Sequence, residues 1–163
     1  MGSYAVYFRG RIRKSADRRP GAVFACKING GGGVLELASA ASARTLSGFG
    51  PSITNFSTLP FDSGAAWTVS GNDAASGLGT VAITGFANGD TIDLSDFVAA
   101  SDTFTNNTLV LTDVGGAQDT LTIQGAFTSS SFQLSSDGSG GTDVVVCFAA
   151  ISARQAANWR WRS

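Results

Sequence analysis

The stretch Thr80-Val-Ala-Ile-Thr-Gly-Phe-Ala-Asn-Gly-Asp-Thr-Ile-Asp-Leu-Ser95 decides the fold class. On both sides of Asn88-Gly89-Asp90, apolar residues alternate with Thr, Ala or Asp, the period of a half-buried strand. Asn-Gly-Asp is turn chemistry, because Gly takes a positive φ freely and Asn and Asp bond their own backbone. The same texture continues outward. Toward the N-terminus stand Val34-Leu-Glu-Leu37, Arg44-Thr-Leu-Ser47, Ser52-Ile-Thr-Asn-Phe56 and Trp67-Thr-Val-Ser70. Toward the C-terminus stand Thr108-Leu-Val-Leu-Thr112, Thr120-Leu-Thr-Ile-Gln124, Phe132-Gln-Leu134 and Asp143-Val-Val-Val146. Gly71-Asn-Asp73, Gly115-Gly116 and Asp137-Gly-Ser-Gly-Gly141 punctuate them, and no amphipathic helix is legible over 30–146. Strands spaced at about 10 residues give an all-β chain: a sandwich, a barrel or a solenoid.

Composition narrows the function. The 163 residues contain no His, so Ser-His-Asp and Cys-His chemistry, an imidazole base and a His-bearing zinc site are all excluded. Charged residues are 14% of the chain, and no apolar run reaches the ~18 residues of a membrane helix. The expectation is a protein without catalysis, cofactor or membrane insertion.

Charge is segregated. From Thr45 to Ala153 there are ten Asp and no Lys or Arg, while eight of the eleven basic residues precede Thr45. The basic head, Arg9-Gly-Arg-Ile-Arg-Lys14 with Arg18-Arg19-Pro20, is read as a tail and not a nucleic-acid arm, since no basic surface follows it. Gly21 to Cys26 is too short for the apolar core of a secretory signal. Trp159 and Trp161, set between arginines, make no amphipathic element. The expected organisation is a basic, disordered tail over 1–29, a repeat domain over 30–146, and a truncated or out-of-frame tail over 147–163.

Leu46-Ser-Gly-Phe49, Ile83-Thr-Gly-Phe86 and Ile123-Gln-Gly-Ala-Phe127 share an apolar–polar–Gly–aromatic core. Their starts are separated by two nearly equal intervals, Leu46 to Ile83 and Ile83 to Ile123. Two coils per interval give a rung of roughly 18–20 residues, as in a β-helix. Residues 31–146 are then expected to pair in parallel across roughly 18–25 residues. Phe49, Phe56, Phe86, Phe104, Phe127, Leu94, Leu109, Leu111, Leu121 and Ile123 are expected inside, and Asp93 and Asp119 in water. A β-sandwich is the alternative.

These residues also carry a resemblance. Gly32-Gly-Val-Leu-Glu-Leu-Ala38, Leu46-Ser-Gly-Phe49, Ile53-Thr-Asn-Phe56, Asp62-Ser-Gly-Ala-Ala-Trp-Thr-Val69 and Ile83-Thr-Gly-Phe86 resemble the passenger-type repeats of bacterial autotransporter-like adhesins. Gly85-Phe-Ala-Asn-Gly-Asp-Thr-Ile-Asp-Leu-Ser95 resembles a unit of RTX-type secreted proteins, and Val146-Cys-Phe-Ala-Ala150 the opening of a Hint (hedgehog/intein) module. The resemblance implies a right-handed parallel β-helix fragment of an exported, cell-surface protein. Its ligand would be bound through a parent protein, and uncapped solenoid ends would favour self-association. The alternative is the C-terminal calcium-binding and secretion region of an RTX-type (serralysin-like) protein.

Site candidates are few. Asp90, Asp93, Asp96 and Asp119 are the possible calcium ligands, since calcium takes six to eight hard oxygens. Solvated turn aspartates are the simpler reading, because the full Gly-Gly-x-Gly-x-Asp repeat is missing. Phe61-Asp62-Ser63-Gly64-Ala65 matches a short aspartic-protease pattern, but that chemistry needs a second carboxylate, and an Asp-Ser-Gly turn explains the residues. Cys26 and Cys147 are expected as free thiols.

Overall fold

The computed structural model describes residues 6–7, 27–39, 42–74 and 76–147. The basic head from Arg9 to Pro20, the Gly21–Cys26 stretch, Phe148–Ala150, Trp159 and Trp161 lie outside them. The described residues are all-β, with two short 3-10 turns, Leu78–Thr80 and Ser129–Ser131, and no α-helix.

Strands β1 (Val6–Tyr7), β2 (Ile28–Val34), β3 (Arg44–Phe49), β4 (Ile53–Pro60), β5 (Trp67–Gly71), β6 (Ala82–Thr84) and β7 (Thr91–Leu94) pair with one another in parallel. Their registers are regular. In one ladder Val6 stands beside Ile28, Ile28 beside Ile53 and Thr58 beside Ala82. In the other, Arg44 stands beside Trp67 and Thr68 beside Thr91. The step between parallel partners, as from Ile28 to Ile53 or from Thr68 to Thr91, is longer than the rung expected from the motif interval. The strand β2 begins at Ile28 and β1 pairs with it, so the pairing starts ahead of residue 30.

Beyond β7 the pairing changes. Strands β8 (Ser101–Thr105), β9 (Thr108–Thr112) and β10 (Gln118–Gln124) form an antiparallel meander. Asn106 and Asn107, both at positive φ, make its first turn. The other edge of β10 joins β6 in parallel, Ile83 beside Ile123. Strands β11 (Phe132–Ser136) and β12 (Thr142–Val146) form a hairpin whose second strand lies antiparallel on β7. The expectation of parallel pairing throughout 31–146 is therefore corrected at β8–β9, β9–β10, β11–β12 and β12–β7, which are antiparallel, while β10 keeps a parallel partner in β6.

The motif interval is explained by these registers. Ile83 and Ile123 are direct neighbours, but Leu46 belongs to the other ladder and sits beside Val69. Their shared spelling marks a common strand-to-Gly-turn geometry and not a common rung. At Gly85 that geometry is required: φ is +70°, and a Cβ there would collide with the Phe61 carbonyl oxygen.

Inward rows run across the strands: Leu59–Ile83–Ile123 in one ladder, Leu46–Val69–Ile92–Val144–Leu134 in the other, and Leu121–Leu109–Phe104 in the meander. They join one hydrophobic cluster, which the single sheet wraps. Eight of the ten residues expected inside are buried; Phe104 and Phe127 are only partly covered. These two rings pack with Phe132 at centroid distances of 5.2–6.0 Å.

Candidate functional site

The four aspartates that are candidates for calcium occupy four different settings. Asp90 closes the Asn88-Gly89 turn and is 2% exposed. Its Oδ1 accepts the Trp67 N–H and its Oδ2 the Ala87 N–H, both at 3.2 Å. Burial pushes its carboxyl above the ordinary value while these two donors hold it down. One oxygen ties the turn to the start of β5 and the other closes the turn itself, which makes Asp90 a structural acceptor.

Asp93 is half-buried on the outward face of β7, directly beside Asp143 of β12 and Ser70 of β5. Burial and then the neighbouring Asp93 and Asp137 charges push the Asp143 carboxyl up. One Asp93 oxygen is buried without a donor. Asp137, at the tip of the β11–β12 hairpin, accepts the Ser139 and Gly141 N–H groups, which hold its carboxyl low.

Asp119 corrects the expectation that it faces water: it is 4% exposed. Strand β10 begins at Gln118, so the period of two that turns Leu121 and Ile123 inward turns Asp119 inward as well. Its Oδ1 accepts the Thr120 N–H at 2.5 Å, and its Oδ2 is buried without a donor. Burial first, and the charge of Asp73 second, push its carboxyl up to about 6. Asp96 is exposed; partial burial and Asp73 raise its carboxyl too.

The sequence reading does not single out Asp73. The available signal is spacing, for Asp73, Asp96 and Asp119 recur at the same step by which Thr68 lies beside Thr91. Among the described residues, however, no three His, Cys, Asp or Glu converge in a way that could hold a metal ion.

The remaining candidates are structural in their contacts. The Asp62 carbonyl accepts the Ala65 N–H at 2.8 Å and the Asp62 N–H donates to the Leu37 carbonyl at 3.0 Å, so the Asp-Ser-Gly segment is a turn between β4 and β5. Cys147 is an exposed free thiol whose Sγ donates to Gln133 Oε1 at 2.9 Å; Cys26 lies outside the described residues. The outward face is a register of small polar residues, Thr45–Thr68–Thr91 beside Ser47–Ser70–Asp93. No helix among the described residues is long and apolar enough to cross a membrane. Comparison with known proteins returns no matching family model, no matching curated protein and no matching solved structure.

Proposed function

We propose that the chain is a non-catalytic structural unit: a short β-solenoid belonging to an exported, adhesin-like bacterial surface protein. The observation that carries this reading is the repeated register. Ile28 lies beside Ile53, Thr58 beside Ala82, Arg44 beside Trp67 and Thr68 beside Thr91, a step of nearly constant length in both ladders. Coils that contact only their neighbours add stability rung by rung and make a stiff body, so the function is mechanical. The Thr, Ser and Asp rows keep its outward face wet. Residues 101–146 act as the C-terminal cap, because β10 covers the edge of β6 and β12 that of β7. Self-association is then confined to the edges left over. Export and the adhesin class rest on the resemblance of residues 32–86 alone.

Inserting a second copy of residues 68–90 after Asp90 tests the solenoid. A stack accepts one more coil in register, so the variant should fold with an unfolding midpoint at or above that of the parent and lengthen by about 4.8 Å in small-angle scattering. A closed barrel has no place for such an insert, and an unfolded or aggregated product refutes the reading. Circular dichroism in EDTA and in calcium tests it against the RTX-type alternative. β structure retained in EDTA agrees with the structural unit, and β structure that forms only with calcium replaces it.

A further inference from the structure

The turn into β7 holds a reactive pair. Asn-Gly occurs twice in the chain, at Asn29-Gly30 and Asn88-Gly89. Its chemistry is intramolecular: the glycine nitrogen can reach the Asn Cγ and close a five-membered ring, and Gly has no Cβ to bar the approach. The fold treats the two pairs differently. Asn29 Oδ1 accepts the Gly31 N–H at 2.9 Å and the Asn55 side-chain amide at 3.0 Å. Gly30 is buried under the Phe56 ring, where an added Cβ would stand 2.5 Å from a ring carbon. Asn88 and Gly89 are both exposed, in a turn closed by the Asp90 N–H on the Ala87 carbonyl at 3.0 Å. Among the described residues, neither the Asn88 amide nor the Gly89 N–H has a hydrogen-bond partner. Gly89 stands at φ +101°, and its missing Cβ would meet nothing nearer than the Ala65 carbonyl oxygen at 3.8 Å. Asp137-Gly138 can close the same ring, but Asp137 Oδ1 is held by the Ser139 and Gly141 N–H groups.

We propose that Asn88 is a site of spontaneous modification, which deamidates through a succinimide formed with Gly89 and thereby loosens the hold of this turn on β5. The site stands independently of the surface-protein reading. The Gly89 nitrogen bonds to Asn88 Cγ, the bond from Cγ to the amide nitrogen breaks, and ammonia leaves with the proton that the Gly89 nitrogen gives up. Water then opens the ring at one carbonyl or the other. One opening leaves an ordinary aspartyl link, and the other an isoaspartyl link in which the chain runs through the side chain. Either product carries a new carboxylate two residues from Asp90. The isoaspartyl product also adds a methylene to the backbone between Ala87 and Asp90. Those two residues are joined twice, by the Asp90 N–H on the Ala87 carbonyl and by the Ala87 N–H on Asp90 Oδ2 at 3.2 Å. A longer turn shifts Asp90 away from the Trp67 N–H that its Oδ1 accepts, whereas the aspartyl product keeps the backbone and that bond.

The test incubates the full chain in mildly alkaline buffer, folded and in urea, and follows its chymotryptic peptides by mass spectrometry against an unincubated sample. Cuts after Phe86 and Leu94 place Asn88 in a short peptide. In the folded chain Asn88 should react at least about tenfold faster than Asn29, whose segment must first open locally. In urea the two rates should converge. Asn88→Gln, whose longer side chain needs a six-membered ring, should stop the reaction at this position and leave Asn29 unchanged. Thermal unfolding of the separated products should place the isoaspartyl form below the parent, and Asn88→Asp close to the parent's midpoint. Equal rates at Asn88 and Asn29 in the folded chain overturn the site. So does a rate at Asn88 about tenfold slower folded than in urea, because the fold then protects the turn. An isoaspartyl form as stable as the parent overturns the loosened hold on β5.

Discussion

Replacing Asp90 by Ala removes the acceptor for two backbone N–H groups, and the cost can be worked from what each would meet. The Trp67 N–H begins a half-buried strand with no other acceptor at hand, and a buried donor left unpaired costs about 1–3 kcal/mol. The Ala87 N–H lies in an exposed segment where water can replace the carboxylate, so its loss costs about 0.5 kcal/mol. Both bonds are long for a charge-assisted pair, and burial already disfavours the ionised carboxyl, which returns part of the loss. The expected destabilisation is about 1–3 kcal/mol, or about 3–10 °C in melting temperature for a chain of this size. Asp90→Asn keeps one acceptor and should lose about half as much. Thermal unfolding at neutral pH by circular dichroism measures both, with Gln124→Ala, exposed on β10, as a control expected within about 0.5 kcal/mol. An Asp90→Ala protein as stable as its parent would refute the clamp. So would a parent whose stability depends on calcium and a variant whose stability does not.

Gly85→Ala places a Cβ against the Phe61 carbonyl at positive φ, so it should lower stability by about 2 kcal/mol or more in urea titration. Cys147 should be chemically idle: the chain has no imidazole to take its proton and return one to a leaving group, and mass spectrometry after incubation with a thiol should show one intact species. The β11–β12 hairpin should exchange its amides before β4 and β5 do at neutral pH, because Asp143 and Asp93 oppose each other where it joins β7; equal protection would count against a weakened joint.

How much was legible follows from what each strand spends its residues on. Strands β7 and β9, Thr91–Leu94 and Thr108–Thr112, are readable to the residue, because Ile92, Leu94, Leu109 and Leu111 alternate with Thr, Asp and Val110 on the other face. Strand β8, Ser-Asp-Thr-Phe-Thr, was silent because it puts one apolar residue, Phe104, into the core beside a carboxylate. Most of β2 was silent too, for Asn29-Gly-Gly-Gly-Gly33 has no side-chain alternation, and its pairing with β4 shifts register. Parallel pairing was legible as a repeat, but the coil length was not. The motif that suggested it spans two ladders, and the step within one ladder is seen only in registers such as Thr68 beside Thr91. The inward turn of Asp119 was legible in principle: two residues before Leu121, the strand period alone demands it. Starting the strand at Thr120 hid it.

The antiparallel half and the placement of the acids have one cause. A parallel stack ends in unpaired N–H and C=O groups on its last coil, and the chain must cover them or present an adhesive edge. Turning back through Asn106-Asn107 and Asp137–Gly141 lets β10 and β12 lie on β6 and β7 within one chain. The registers that do so also place carboxylates along the same strands: Asp119 and Asp102 on either side of Leu111, and Asp143 directly beside Asp93. Apolar rows continue through each joint, Ile83 to Ile123 and Ile92 to Val144, and offset the repulsion. The parallel strands are held by burial together with a bonded acceptor, Asp90. The joint between β12 and β7 instead sets the burial of Ile92 and Val144 against two facing carboxylates, so it should be the first part of the sheet to yield.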